Sequence, residues 1–498
     1  TSITEDKWGN IWAGHWKDAS NEGGITKIEP SGNITIYNTS NGLHDDHIWC
    51  IVPDYEGNML IGTTDQGLDI FKGERFISFT TADGLVHNQV NAITQSASGD
   101  IWFGTNKGIS VYKKAGKEAS FKLYDEKSFI SNQISFFKKD KSNNIWIGTS
   151  DQGVLMYNSA SGRFVSQPRI NENLNYFGSI TAMELTRSGE LWVGTIGGLV
   201  GFNIMINAYL GTFTQGSGLA GNDISALFSD SKGNLWIGTG KNKGISRMKN
   251  GKISVLKSIA DVTPTCFTED KEGKIWMGTD ASGIWVIEED SVTAEFSVQE
   301  GLLSRHINLI VVDGQNNIYA GTNLGLNKID QKQKKVLSCS RRSGFTGIET
   351  RLNAWYREPD GNLWIGTANG AMCCDLKLLA LEDTMKPSIH FRSMFVKDVE
   401  ESMQPNKKLN NRQNDLTFHF NSISIGNPEG ITYYTMLEGY DDDWQNTGNN
   451  NSRTFSKLPP GRYHFLVKAH NELGEWTQDP ISYSFRILAP PYKRGYFI

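Results

Sequence analysis

Asp230-Ser231-Lys232-Gly233-Asn234-Leu235-Trp236-Ile237-Gly238-Thr239 reads as a tight turn followed by a short apolar run that closes on glycine and threonine. The run recurs as Ile11-Trp12-Ala13-Gly14-His15, Met59-Leu60-Ile61-Gly62-Thr63, Ile101-Trp102-Phe103-Gly104-Thr105 and Ile145-Trp146-Ile147-Gly148-Thr149. It continues as Leu191-Trp192-Val193-Gly194-Thr195, Ile275-Trp276-Met277-Gly278-Thr279, Ile318-Tyr319-Ala320-Gly321-Thr322 and Leu363-Trp364-Ile365-Gly366-Thr367. The shared glycine advances by 40 to 48 residues, and seven of the 14 tryptophans fall at one phase. A period in the low forties, made of short apolar runs and turn residues, marks a propeller blade of four strands. Eight residues before the glycine an aspartate recurs (Asp6, Asp54, Asp140, Asp230, Asp270, Asp313). Its carboxylate can bond the backbone two residues on, and the glycine that follows accepts positive φ, so a hairpin turn is expected there.

No stretch of the array keeps a 3.6-residue period, so the reading is all-β. Seven blades counted back from about residue 385 begin near residue 78. The expected layout is therefore the last two blades of a preceding, truncated propeller over 1–80 and a seven-bladed β-propeller over 81–385. One ring of eight or nine blades is the alternative. Seven is preferred because exposed sheet edges must be closed and propellers run from about four to eight blades. After Lys386-Pro387 the repeat stops. Residues 386–490 alternate as strands, for example Leu416-Thr417-Phe418-His419-Phe420 and Tyr463-His464-Phe465-Leu466-Val467, at a length and spacing that suit an Ig- or fibronectin-like β-sandwich.

Composition narrows the function. Lys and Arg number 49 against 54 Asp and Glu, a net charge of −5. That balance gives no basic face for nucleic acid, and no nucleic-acid partner is expected in this region. A mean hydropathy of −0.40 and the lack of an 18-residue apolar run leave nothing here to span a bilayer as a helix. Five cysteines give neither a disulfide framework nor zinc spacing. Cys50 and Cys266 share one repeat phase, as core-strand residues would. The chain opens at Thr1 inside a repeat and stops at Arg494-Gly495-Tyr496-Phe497-Ile498, so both ends read as cut.

Leu437-Glu438-Gly439-Tyr440-Asp441-Asp442-Asp443-Trp444, Leu458-Pro459-Pro460-Gly461 and Pro490-Pro491-Tyr492 together resemble the tyrosine-rich sandwich module of hybrid two-component sensors, and the blade phrases resemble that family's regulatory-propeller repeat. The resemblance covers nearly the whole chain. It implies a periplasmic sensor region, the extracytoplasmic part of an inner-membrane protein, with 491–498 as the juxtamembrane end of a tether through a C-terminal transmembrane helix. It also implies an oligosaccharide ligand from polysaccharide breakdown, a homodimer and a cytoplasmic histidine kinase outside this fragment. No enzymatic residue is carried over, and no cofactor is implied.

No other constellation encodes catalysis. His44 and His47 read as a solvated turn rather than a metal pair, and Asp441-Asp442-Asp443 lacks the spacing of a calcium loop. The glycines near Gly197-Gly198 lack the lysine of a phosphate loop. Repeat phase does locate a surface. The connection into each blade ends just before an aliphatic residue fourteen places ahead of the blade glycine (Val90, Ile134, Ile180, Ile224, Ile307, Leu352). The one to three residues before it should crown one mouth of the ring. His87, Asn88, Asn132, Phe177, Asn222, Asp223, Arg305, His306, Glu349 and Arg351 fall there, with Tyr176 adjoining and Trp355 an aromatic the framework leaves over. Amides, charges and ring faces are what a sugar site needs, and Arg305 or Arg351 suits a uronate or sulfate. Loops on any propeller are polar, so many of these residues need only cap turns. Two rival readings follow: a polysaccharide lyase or glycosidase using His306 with Arg305 and Glu349, and a protein-docking scaffold.

Overall fold

The computed structural model describes residues 2–16, 23–39, 42–54, 57–71, 73, 76–113, 120–124, 133–174, 179–331, 335–339, 344–347, 349–359, 361–376, 379, 386–422, 430–471 and 476–490. It divides into two compact units, residues 74–381 and residues 1–73 with 382–498. Asn132, Tyr176 and Phe177 lie outside the described residues.

Residues 76–375 form seven four-stranded antiparallel sheets. The innermost strands are Val90–Gln95, Ile134–Lys139, Ile180–Leu185, Ile224–Ser229, Pro264–Glu269, Ile307–Val312 and Thr350–Arg357. Each lies against the next, and the seventh lies against the first, so the ring closes. The seventh sheet takes its outer strand from the front of the unit: Phe76–Phe79 pairs antiparallel with Gly370–Asp375. The ring therefore begins before the boundary drawn at residue 81, because this outer strand is held by hydrogen bonds made almost 300 residues away. We number the blades 1 to 7 from Val90.

The repeated tryptophan explains how neighbouring blades adhere. Trp102 of blade 1 is buried among Ile134, Ile145 and Ile147 of blade 2. Trp146, Trp192, Trp236, Trp276 and Tyr319 do the same one blade further on each time. Trp364 of blade 7 closes the circle among Val90, Ile101 and Phe103 of blade 1. Each large ring removed from water contributes on the order of 2–3 kcal/mol at an interface that β-hydrogen bonds alone would leave open. The blade glycine has a matching purpose. A methyl built on Gly194 would stand 2.6 Å from Ile224 Cγ2, so only glycine lets the inner strand of the next blade approach this close.

The recurrent aspartate does more than shape its turn. Asp230 accepts from the backbone N–H of Lys232 and Asn234 and from the Asn234 side chain. It also accepts from Trp236 Nε1 at 2.9 Å, tying the turn to the buried indole. Asp6–Trp12, Asp140–Trp146 and Asp270–Trp276 repeat the bond at 2.8–3.0 Å, and Asp313 takes the Tyr319 hydroxyl at 3.2 Å. At Asp6, burial pushes the carboxyl up, but the bonds from Trp12, Asn10 and the backbone outweigh it and hold the group below its ordinary value.

A two-turn helix, Pro168–Leu174, interrupts the all-β reading between blades 2 and 3, with Ile170 and Leu174 buried on one face four residues apart. In the other unit, Ser2–Glu5, Ile11–His15, Gly24–Ile28 and Ile34–Tyr37 form one four-stranded blade, and Ile48–Pro53, Met59–Thr63 and Leu68–Phe71 form three strands of another. Trp12 packs with Ile48, Ile51 and Ile61 between them. Cys266 is buried beside Ile307 as its phase suggests. Cys50 is exposed instead, since no described strand lies against it as Ile307 lies against Cys266.

Residues 389–487 form a sandwich of a four-stranded and a five-stranded sheet. Alternation along Gly461–His470 sends Tyr463, Phe465, Val467 and Ala469 inward to meet Phe418, Phe420, Tyr433, Tyr483 and Phe485. The buried tyrosine hydroxyls are satisfied: Tyr463 donates to the Pro459 carbonyl, Tyr483 to the Gln404 carbonyl, and Tyr433 accepts from Ser422 N.

Candidate functional site

The connections into the blades and the hairpins after each Gly-Thr lie at the same end of the ring. Backbone bonds join them: Ser150 N to Gln133 O, Gly240 N to Asp223 O, Asp280 N to Thr263 O and Ala368 N to Glu349 O. Threonine closes each hairpin, as Thr105 Oγ1 donates to the Gly108 carbonyl at 2.9 Å. The mouth is therefore double-walled, and the hairpin wall was not part of the sequence reading.

The inner strands of blades 1 to 6 each carry one extra residue opposite the blade glycine, a β-bulge. The bulged residue is always small and polar: Asn91, Ser135, Thr181, Ser225, Thr265, Asn308. Most donate to a carbonyl of the following blade. Asn91 Nδ2 reaches Ile134 O at 3.1 Å, Thr181 Oγ1 reaches Ile224 O at 2.5 Å and Ser225 Oγ reaches Pro264 O at 2.6 Å. Thr265 Oγ1 reaches Ile307 O at 2.5 Å and Asn308 Nδ2 reaches Thr350 O at 2.7 Å. This polar belt stitches the inner strands together. Its signal, a polar residue thirteen before the glycine in blades 1 to 6, stands in the sequence.

Blade 7 departs from the belt. Thr350 pairs with Thr367 and Trp355 with Ile365, so three residues, Arg351, Leu352 and Asn353, bulge where other blades have one. The phase residue is Thr350, buried and bonded to Thr322 O, and not the Leu352 expected from spacing, which is 51% exposed. The bulge reaches over the end of the channel. Arg351 Nε donates to Asn91 Oδ1 of blade 1 at 3.4 Å, and Asn353 Nδ2 donates to Thr265 O of blade 5 at 3.2 Å. Asn353 holds φ 52°, in the left-handed region. From Arg351 the bonds run on: Asn91 Nδ2 to Asn106 Oδ1 at 2.7 Å and Asn106 Nδ2 to Gln89 Oε1 at 2.8 Å. One guanidinium and three primary amides thus line one side of the mouth.

The other residues singled out from sequence have separate fates. Asn88 and Asn222 are turn caps, their Oδ1 atoms accepting from Thr81 N at 2.7 Å and Gln215 N at 2.6 Å. His87 Nδ1 accepts from Gln89 N. His306 sits at the rim with Nδ1 2.7 Å from Asp280 Oδ1. Asp223 is half-buried beside Gly240, while Arg305 is exposed. Glu349 stays on the crown through its carbonyl bond to Ala368, whereas Trp355 packs into the core shared by blades 6 and 7 and leaves the candidate set. Arg351 and its amide neighbours form the best-connected group, and Gln89, Asn91, Asn106 and Asp280 are additions from the structure. Among the described residues no three His, Cys, Asp or Glu side chains gather as metal ligands.

The fold and its repeats define a class, a regulatory propeller followed by an Ig-like module. The chain carries two component regulator propeller repeats at residues 42–65, 84–107 and 218–241 and a Y_Y_Y domain at 424–488. It is 22% identical over 440 residues, 82% of its length, to histidine kinase P4 of Formosa agariphila, and it spans about a third (32%) of that curated relative. Its fold is that of the extracellular domain of the hybrid two-component system BT3049 from B. thetaiotaomicron, with a TM-score of 0.81 at 20% identity over 98% of this chain and 67% of the other. The extracellular domain of the hybrid system BT4673 from the same organism aligns with a TM-score of 0.52 at 21% identity, covering 99% and 68%. No helix among the described residues is long and apolar enough to cross a membrane.

Proposed function

We propose that this chain is the periplasmic ligand-sensing region of a hybrid two-component sensor, without enzymatic activity of its own. The observation that carries the reading is the union, in one chain, of regulator propeller repeats with a Y_Y_Y domain on a fold shared with extracellular domains of such systems. The ligand is an oligosaccharide from polysaccharide breakdown. It sits at the mouth of the ring, where Arg351, Asn91, Asn106 and Gln89 offer a cation and amides on a rigid scaffold. Differential affinity for two arrangements of a homodimer shifts their populations, and the sandwich passes the change through a membrane tether to a cytoplasmic histidine kinase. Isothermal titration of the chain with a panel of oligosaccharide fragments tests the ligand class. A fragment should bind with its affinity reduced about tenfold or more in Arg351→Gln. Silence across the panel, or polysaccharide turnover by the chain, overturns the reading.

A further inference from the structure

The sandwich carries a second candidate binding surface. On the outer face of its five-stranded sheet, Lys408 lies directly across from Arg486, and Arg486 directly across from Arg462. Three exposed cations therefore stand in one line over three adjacent strands, spaced about 5 Å apart. Like charges directly opposite one another repel, and no described carboxylate forms an ion pair with any of the three. The nearby acid, Glu438, is one row further along and 3.5 Å from His464. The two rows border a cavity of about 430 Å³ that Ser484 also lines. Further along the same face, about 20 Å from Arg462 by strand rise, Lys468 lies against the rings of Trp444 at 4.2 Å and Trp476 at 4.9 Å. Trp476 is 41% exposed and packs on Tyr434 with centroids 5.0 Å apart. A cation line without an ion-paired carboxylate, in a concavity, with a partly exposed indole further along the same face, supplies charge pairing for acidic groups and an aromatic surface for a sugar ring.

We infer that this face of the sandwich binds an acidic oligosaccharide, its carboxylate or sulfate groups seated on Lys408, Arg486 and Arg462. The site is built from residues of the sandwich alone. The test titrates the whole chain with a chondroitin sulfate tetrasaccharide at low ionic strength, beside its desulfated, carboxyl-reduced counterpart. Binding of the acidic form should weaken at least tenfold in Arg462→Gln/Arg486→Gln, and the neutral form should not respond to that change. Arg351→Gln in the ring should leave the acidic tetrasaccharide's affinity as it was. Removing two mutually repelling charges should not lower the melting temperature, which separates lost binding from lost folding. No binding by the unmodified chain, or equal binding by the double variant, overturns the inference and leaves the ring reading standing. Co-sedimentation with phosphatidylglycerol vesicles that needs both arginines, without tetrasaccharide binding, overturns it in favour of a lipid surface.

Discussion

Replacing Asp230 with alanine tests the tie between turn and tryptophan. The carboxylate accepts from the buried Trp236 indole, from the buried Asn234 side chain and from two backbone N–H groups. After Asp230→Ala, water can reach the backbone donors at the turn, but the indole and the Asn234 amide lose their acceptor inside the blade interface. Each buried donor left unpaired costs about 1–3 kcal/mol, so the variant should lose about 3 kcal/mol. For a domain of this size that corresponds to a fall of roughly 5 °C in the ring's transition. Differential scanning calorimetry of the whole chain reads this directly, with Asp223→Ala on the crown as the control. The control should move by less than about 0.5 kcal/mol, because its side chain is half-buried at a loop. If both variants melt within 1 °C of each other, the aspartate is only a turn former and the reasoning fails.

Gly194→Ala should cost roughly 1–3 kcal/mol by forcing Ile224 of the next blade aside, and urea unfolding followed by tryptophan fluorescence measures it. Trp364 Nε1 is buried without a partner where blades 2, 4 and 5 supply aspartate, so Glu358→Asp should stabilise the ring by about 1 kcal/mol in the same assay. Thiol labelling of the folded chain should modify Cys50 and spare Cys266, whose burial pushes its pKa up to about 12; equal labelling refutes the packing described. Backbone N–H bonds from His47 and Asp65 hold Asp45 at about 2. Because the folded value is depressed, the stabilisation is complete above the ordinary carboxyl value near pH 4 and is lost as pH falls through about 2. An NMR titration should place its midpoint there, and Asp45→Asn should remove that acid sensitivity.

The blade phrase was legible because one physical demand, a buried aromatic ring two residues before a glycine, recurs in all seven wedges of the ring. The sandwich was legible from its period-two aromatics. Other features were hidden for definite reasons. Phe76–Phe79 has no local sign of its partner, since Gly370–Asp375 lies at the far end of the ring. The insertion in blade 7 was invisible because Leu352 fits the aliphatic position as well as any neighbour, and only the pairing of Thr350 with Thr367 reveals the extra residues. Asn88 and Asn222 have the composition of ligand residues yet are committed to turns, a distinction that spacing alone does not make. Trp355 has the look of a ligand aromatic because the blade framework leaves it over, and its true partners, the core between blades 6 and 7, are not adjacent in sequence.

Hydrogen–deuterium exchange of the chain with and without a bound oligosaccharide bears most directly on where this molecule senses. Protection concentrated in peptides spanning 86–91, 105–108 and 349–355 is the expected result. Protection confined to the opposite turns, such as 140–144 and 186–190, or no change anywhere in the ring, would contradict a ligand held at the blade 7 bulge.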